Sequence, residues 1–128
     1  MSKWVLDASA LLVLLSREPG SDQVEAALAD GASVTTVNLS EVVAKLSDVG
    51  MSEEAIRQAL GALPLTVVDF DEDLAYRAGR LRPATRGAGL SLGDRACLAL
   101  ARRMGVPAVT ADRGWTTLEV NVAIRSVR

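Results

Sequence analysis

The sequence predicts an α/β protein built on a doubly wound, mainly parallel sheet, and two observations carry that reading. Short β-branched runs alternate with stretches of helical periodicity along the whole chain, and strands joined through helices of this length require crossovers onto parallel neighbours. The 128 residues also fit one domain, residues 1–128, with no repeat, linker or low-complexity segment. In open sheets of this kind ligands sit outside the carboxyl ends of the strands, near the point where strand order reverses.

Lys3 to Leu6 reads as the first strand, and an apolar helix follows from about Ser9 to Ser16, stopped by Pro19-Gly20. A second helix runs from about Asp22 to Ala29, with Gly31 as its C-cap. Ser33 to Val37 is β-branched and reads as strand two. From Asn38 to Val49 apolar side chains fall at 39, 42, 43 and 46, a helical stripe that Gly50 closes. Ser52 opens another helix with Ile56, Leu60 and Leu63 in register, and Leu65 to Asp69 is strand three. Asp71 to Leu81 is helical; Pro83, Gly87 and Gly89 mark a loop before the helix Leu92 to Met104. Val106 to Thr110 is strand four and Val120 to Ile124 strand five.

Composition narrows the chemistry. There is no histidine, which excludes a Ser-His-Asp triad and histidine-ligated zinc, copper or haem. A single cysteine makes neither an internal disulfide nor a thiolate cage. No uncharged stretch exceeds 11 residues, far short of the roughly 20 needed for a spanning helix, so no membrane role and a cytoplasmic location are expected. The net charge of −2 conceals an asymmetry: residues 1–76 hold 4 basic and 13 acidic groups, net −9, and residues 77–128 hold 10 basic and 3 acidic, net +7. Such polarity sets a basic surface against acidic groups elsewhere.

Four acids fall at strand-to-helix corners. Asp7 ends strand one and Asp112 follows strand four; Glu41 and Asp94 lie in the first turns of the helices that begin near Asn38 and Ser91. Each taken alone also fits a structural duty. Asn38 with Glu41, and Ser91 with Asp94, are spaced as N-cap and third helical residue; Asp7 suits a helix cap and Asp112 a turn. Taken together, four acids near one rim repel one another, and burial raises their pKa values unless a cation intervenes. Oxygen-only ligation selects Mg²⁺ or Mn²⁺, and phosphodiester hydrolysis is the natural reaction class for such ions.

Val5-Leu6-Asp7-Ala8-Ser9, Asn38-Leu39-Ser40-Glu41, Leu92-Gly93-Asp94-Arg95-Ala96-Cys97-Leu98-Ala99-Leu100-Ala101 and Val109-Thr110-Ala111-Asp112-Arg113-Gly114-Trp115, in this order and at these separations, resemble the PIN-domain ribonucleases. The likeness is greatest to the VapC-like toxins of bacterial type II toxin-antitoxin modules, and it covers essentially the whole chain. It implies a PIN-like five-stranded sheet in the order 3-2-1-4-5, which would make strands one and four neighbours. It further implies a divalent-metal site formed by Asp7, Glu41, Asp94 and Asp112, with Ser9, Asn38 and Thr110 supporting it. Activity would be Mg²⁺- or Mn²⁺-dependent endoribonuclease action. Assembly would be a homodimer with a VapB-like antitoxin that occupies an apolar groove and blocks the cleft; the helix Ala10 to Leu15, apolar nearly all round, must be buried by such a partner or by this chain's own helices.

Eight arginines fall between positions 77 and 113, and arginine suits bidentate phosphate contact. Arg82, Arg86, Arg95 and Arg113 lie in the loop or beside the proposed ligands and are assigned to RNA; Arg77, Arg80, Arg102 and Arg103 read as solvated helix residues. Trp115 fits base stacking or packing equally, and Cys97 reads as core. A catalytically inactive PIN-like binding module is the alternative. A receiver-like signalling domain, with Asp69 as acceptor, would need a lysine near strand five, whereas the lysines are Lys3 and Lys45.

Overall fold

A computed structural model describes residues 1–128. β1 (Trp4–Leu6) lies at the centre of the sheet, between β2 (Ala32–Thr35) and β4 (Ala108–Thr110). β3 (Leu65–Val68) and β5 (Ile124–Ser126) form the edges, every pairing is parallel, and the order is β3-β2-β1-β4-β5. The expected 3-2-1-4-5 order is thus observed. The chain winds outward from β1 through β2 to β3, then returns across the sheet to β4, so strand order reverses between β1 and β4.

Helices α1 (Ala8–Leu15), α2 (Ser21–Asp30), α3 (Thr36–Asp48) and α4 (Glu53–Gly61) come from the first part of the chain, and α5 (Glu72–Arg80), α6 (Arg82–Thr85) and α7 (Leu92–Met104) from the second. Side-chain alternation along the strands divides the core into two layers. Leu6, Val34 and Val109 pack with Leu11, Val24, Leu28, Val42 and Ile56. Val5 and Ala108, one position over, pack with Leu74, Ala78, Leu98 and Trp115. β2 and β4 are buried throughout, as a sheet covered on both faces requires. Burial of α1 comes largely from α2 and α3, which hold Ala10, Leu11 and Val13 out of solvent. No helix is long and apolar enough to cross a membrane.

Most elements start or end a residue or two away from the sequence expectation, and three differences have a clear physical cause. β2 ends at Thr35, because the Thr35 hydroxyl caps α3 by accepting from Asn38 N at 3.1 Å; the helix starts at Thr36, and Asn38 is its third residue rather than its cap. The stretch 83–89 is not a loop but α6 followed by a 3-10 turn, Arg86–Ala88, since Pro83 fits a first helical turn. The fifth strand lies at Ile124–Ser126 rather than Val120 to Ile124: Val120 is a buried plug in the second core layer, and Asn121 at φ +55° breaks the extended run. The C-terminal strand is held close to the turn before α2. A side chain on Gly20, φ +103°, would strike the Val127 carbonyl, and Arg128 pairs with Glu18.

Candidate metal centre at the carboxyl rim

Asp7 leaves β1 as the N-cap of α1, where its Oδ1 accepts from Ala10 N at 2.8 Å and from Ser9 Oγ at 2.7 Å. Its Oδ2 accepts from Thr110 Oγ1 at 2.6 Å across the β1–β4 boundary. Ser9 Oγ accepts from Ala111 N at 2.9 Å and Thr110 Oγ1 from Asp112 N at 3.0 Å, so one network fastens the ends of both strands at the switch point. Asp7 is only 4% exposed. Burial pushes its pKa up to about 6; the bonds from Thr110, Ala10 and Ser9 oppose that rise, and the charge of Asp94 adds to it.

Asn38 performs the equivalent task for Glu41. Its Oδ1 accepts from Thr35 Oγ1 at 2.6 Å, while its Nδ2 donates to Gly93 O at 3.0 Å and to Glu41 Oε1 at 3.1 Å. Freed from capping by Thr35, Asn38 clamps α3 to the first turn of α7 and aims Glu41. Glu41 is half-buried, and desolvation raises its pKa, against the Asn38 bond and with the charge of Asp94. The expected Ser91–Asp94 capping box is present: Ser91 N donates to Asp94 Oδ2 at 3.0 Å and Asp94 N to Ser91 Oγ at 3.2 Å. Asp112 caps a 3-10 turn, Arg113–Thr117, by accepting from Gly114 N at 2.8 Å.

These carboxylates line one cleft of about 250 Å³ together with Ala8, Ser9, Leu12 and Lys45. The roles of two residues at the site escaped the sequence reading, one behind Glu41 and one in the cleft lining. Gly93 is buried beneath Glu41, and a Cβ there would fall 2.3 Å from both Glu41 carboxylate oxygens; a glycine inside a first helical turn, beside an acid, was the signal. Lys45 is the one basic side chain lining the cleft, placed there because it follows Glu41 by one helical turn.

The donor set fits a hard divalent cation: oxygen only, negative, and partly desolvated. The glycine cradle that admits Glu41 and the burial of Asp7 among neutral donors point the same way. As they stand, no three of these acids are drawn close enough to share one ion; Asp94 is turned toward Ser91 N and Asp112 toward Gly114 N.

None of the four arginines assigned to RNA lines the cleft itself. Arg82 and Arg86 are exposed on the segment leading into α7, and Arg113 is exposed beside Asp112. Arg95 is half-buried and donates from Nη1 to Ala78 O at 3.1 Å, with its Nε enclosed and unpartnered, so it ties α7 to α5. Trp115 is 1% exposed within the second core layer, which settles packing over stacking, and Cys97 is buried there too, its thiol pKa pushed well up by desolvation.

Solved structures share this architecture over nearly their whole length. A toxin-antitoxin complex from Klebsiella pneumoniae matches at 19% identity and a TM-score of 0.75, covering 97% of each chain. A DNA-bound VapBC from Salmonella typhimurium matches at 17% and 0.78, covering 100% of each. FitAcB from Neisseria gonorrhoeae matches at 19% and 0.70, covering 97% of each. At such identities the likeness is one of fold. No curated protein matches significantly by sequence. The sequence profile of the PIN domain family, however, spans residues 4–120, which takes in all four acids, and the chain belongs to that family.

Proposed function

We propose that the chain is a metal-dependent endoribonuclease, the toxin of a VapBC-type toxin-antitoxin module acting in the cytoplasm. The observation that carries the reading is the convergence of Asp7, Glu41, Asp94 and Asp112 on one cleft in a chain without histidine. The likeness in fold to the Klebsiella and Salmonella complexes supports a toxin-antitoxin setting; the partners are then an RNA substrate, a VapB-like antitoxin and a second copy of the chain. When bound, Mg²⁺ or Mn²⁺ would supply an activated water and neutralise charge at the scissile phosphate.

The chain's own residues do the rest. Asp7, Glu41, Asp94 and Asp112 hold the ion, with Asp7 fixed by Ser9 and Thr110 and Glu41 by Asn38. Lys45 engages the RNA backbone at the cleft, and Arg82, Arg86 and Arg113 extend that contact outward. Without a histidine to take the proton of a 2′-hydroxyl, water is the nucleophile. It attacks phosphorus, the P–O3′ bond breaks, and the products carry a 5′-phosphate and a 3′-hydroxyl. Asp7→Asn and Asp94→Asn are expected to lower RNA hydrolysis by orders of magnitude while the fold survives. Full-rate cleavage in excess EDTA, or 2′,3′-cyclic phosphate ends, would overturn the mechanism.

A second reading, a catalytically silent PIN-like binding module, is favoured by one observation: backbone amides already engage Asp94 and Asp112. Calorimetric titration with Mn²⁺ separates the two, since the nuclease binds the ion with loss of those bonds and the silent module does not bind it.

A further inference from the structure

We propose that the face shared by α5 and α7 is a second RNA subsite, in which Tyr76 stacks on a base while Arg80 and Arg102 hold the flanking phosphates of a single strand. The proposal rests on the ribonuclease reading and extends it beyond the acidic cleft.

Tyr76 is the one aromatic side chain presented freely to solvent, at 71% exposure; Trp115 is buried, and Trp4 and Phe70 are half-buried. The arginines around it fall into two kinds. Arg77 pairs with Asp73 at 2.8 Å, and Arg103 reaches both Asp71 and Asp73 at 3.1 Å, so these two cations are neutralised within the fold. Arg80 and Arg102 make no ion pair. Both line, with Tyr76 and Arg77, a concavity of about 410 Å³ to which Leu81 and Ala99 also contribute. A hollow with an aromatic wall and two unpaired guanidinium groups matches the alternation of flat base and anionic phosphate in a single strand. Stacking on a ring tolerates any base, and guanidinium groups take phosphate oxygens in pairs.

Two arguments favour RNA over a second copy of the chain. A two-fold interface centred here would bring unpaired cations against their own images. The route to the acids is also basic: Arg80 ends α5, Arg82 opens α6, and Arg86 opens the 3-10 turn that leads to Ser91 and Asp94. Along α7, Asp94 and Arg102 are eight residues apart, about 12 Å of helix. One short strand of RNA can therefore occupy cleft and subsite together.

The test is fluorescence anisotropy of a labelled single-stranded decanucleotide on Asp94→Asn protein in metal-free buffer, where the RNA stays intact. Tyr76→Ala is expected to weaken binding about tenfold, and Tyr76→Phe to bind like its parent. Replacing both Arg80 and Arg102 by Ala is expected to reduce the slope of log K against log salt by about 1.4, the value for two lost single-strand phosphate contacts. All three positions are on the surface, and thermal melts confirm that the variants fold. Unchanged affinities and slopes would overturn the proposal, as would a changed sedimentation coefficient with RNA affinity intact, which assigns the patch to self-association. The nuclease reading fails separately: RNA binding with these losses, in a wild-type protein that never cleaves RNA with Mg²⁺ or Mn²⁺, sinks that reading and leaves the subsite standing.

Discussion

A buried carboxylate destabilises a fold unless charge compensates it, and Asp7 has only neutral donors around it, from Ala10, Ser9 and Thr110. Its pKa of about 6, against an ordinary value of 3.8, fixes the sign of the pH dependence. A raised carboxylate binds its proton more tightly in the folded state. This group therefore removes stability as pH climbs from about 4 to 6, and the whole penalty, about 3 kcal/mol, is present above that window. In chelator at pH 7, Asp7→Asn is expected to raise unfolding stability by about 1–3 kcal/mol, less than the full penalty because the amide is a poorer acceptor from Thr110. At pH 4 the gain should vanish. Urea melts at both pH values check it, and a variant less stable than wild type at pH 7 would contradict the assignment. Gly93 supplies a complementary prediction. Gly93→Ala places a methyl where the Glu41 carboxylate sits; the flexible side chain yields, and helix propensity returns roughly 0.5–1 kcal/mol. The expected outcome is a melting temperature that barely falls, with Mn²⁺ affinity and RNA cleavage down at least tenfold.

Thr35 shows why elements matter to the site. Its hydroxyl closes the N-terminus of α3 and also donates to Asn38 Oδ1, which leaves the Asn38 amide to reach Glu41 and Gly93 O. Thr35→Ala removes a cap worth about 1 kcal/mol and also frees Asn38 to rotate. A loss of about 1–3 kcal/mol in urea unfolding is expected, with Thr35→Ser restoring most of it; no change would show that Asn38 is held by other contacts. The same residue marks where the sequence could be read and where it could not. The acids, the alternating α/β order and the helix Leu92–Met104 were legible because strand ends, Ser91–Asp94 capping and helical periodicity are local signals. Asn38 reads in sequence as either a cap or a support for the acids, and Thr35 takes the cap because a β-branched residue satisfies strand and cap propensities alike. Strand five was displaced because the left-handed backbone at Asn121 and the burial of Val120 are set by tertiary packing. Gly93 and Lys45 were missed because their meaning depends on a carboxylate one helix or one turn away.

Across the whole molecule the acidic cleft is not the most spacious concavity. An apolar groove of about 690 Å³ between α3, α4 and the edge strand β3, lined by Leu39, Val43, Ile56, Leu60 and Val67 among others, exceeds it. Leu39 and Val43 lie one turn apart on α3, whereas Glu41 and Lys45 form a separate stripe that lines the cleft. The groove therefore lies behind the cleft, and a ligand seated in it does not cover the acids. That geometry separates the two partners of the proposed toxin. In the proposed assembly the antitoxin acts at the cleft, and the groove is then open to the second copy of the chain. Self-association also suits its rim, where Glu53 and Arg57 pair with each other at 2.8 Å and so present no net charge to repel a two-fold image. β3 adds an unpaired edge, and Val67 there is 46% exposed. Such an edge invites pairing unless it is covered or charged. Light scattering is expected to report a dimer at micromolar concentration. Val67→Lys puts a charge in the middle of that face at a position that tolerates it, and it should shift the population toward monomer without lowering the melting temperature of the monomer itself. A wild-type protein that stays monomeric throughout the micromolar range, or a Val67→Lys variant as dimeric as its parent, would move the interface elsewhere on the molecule.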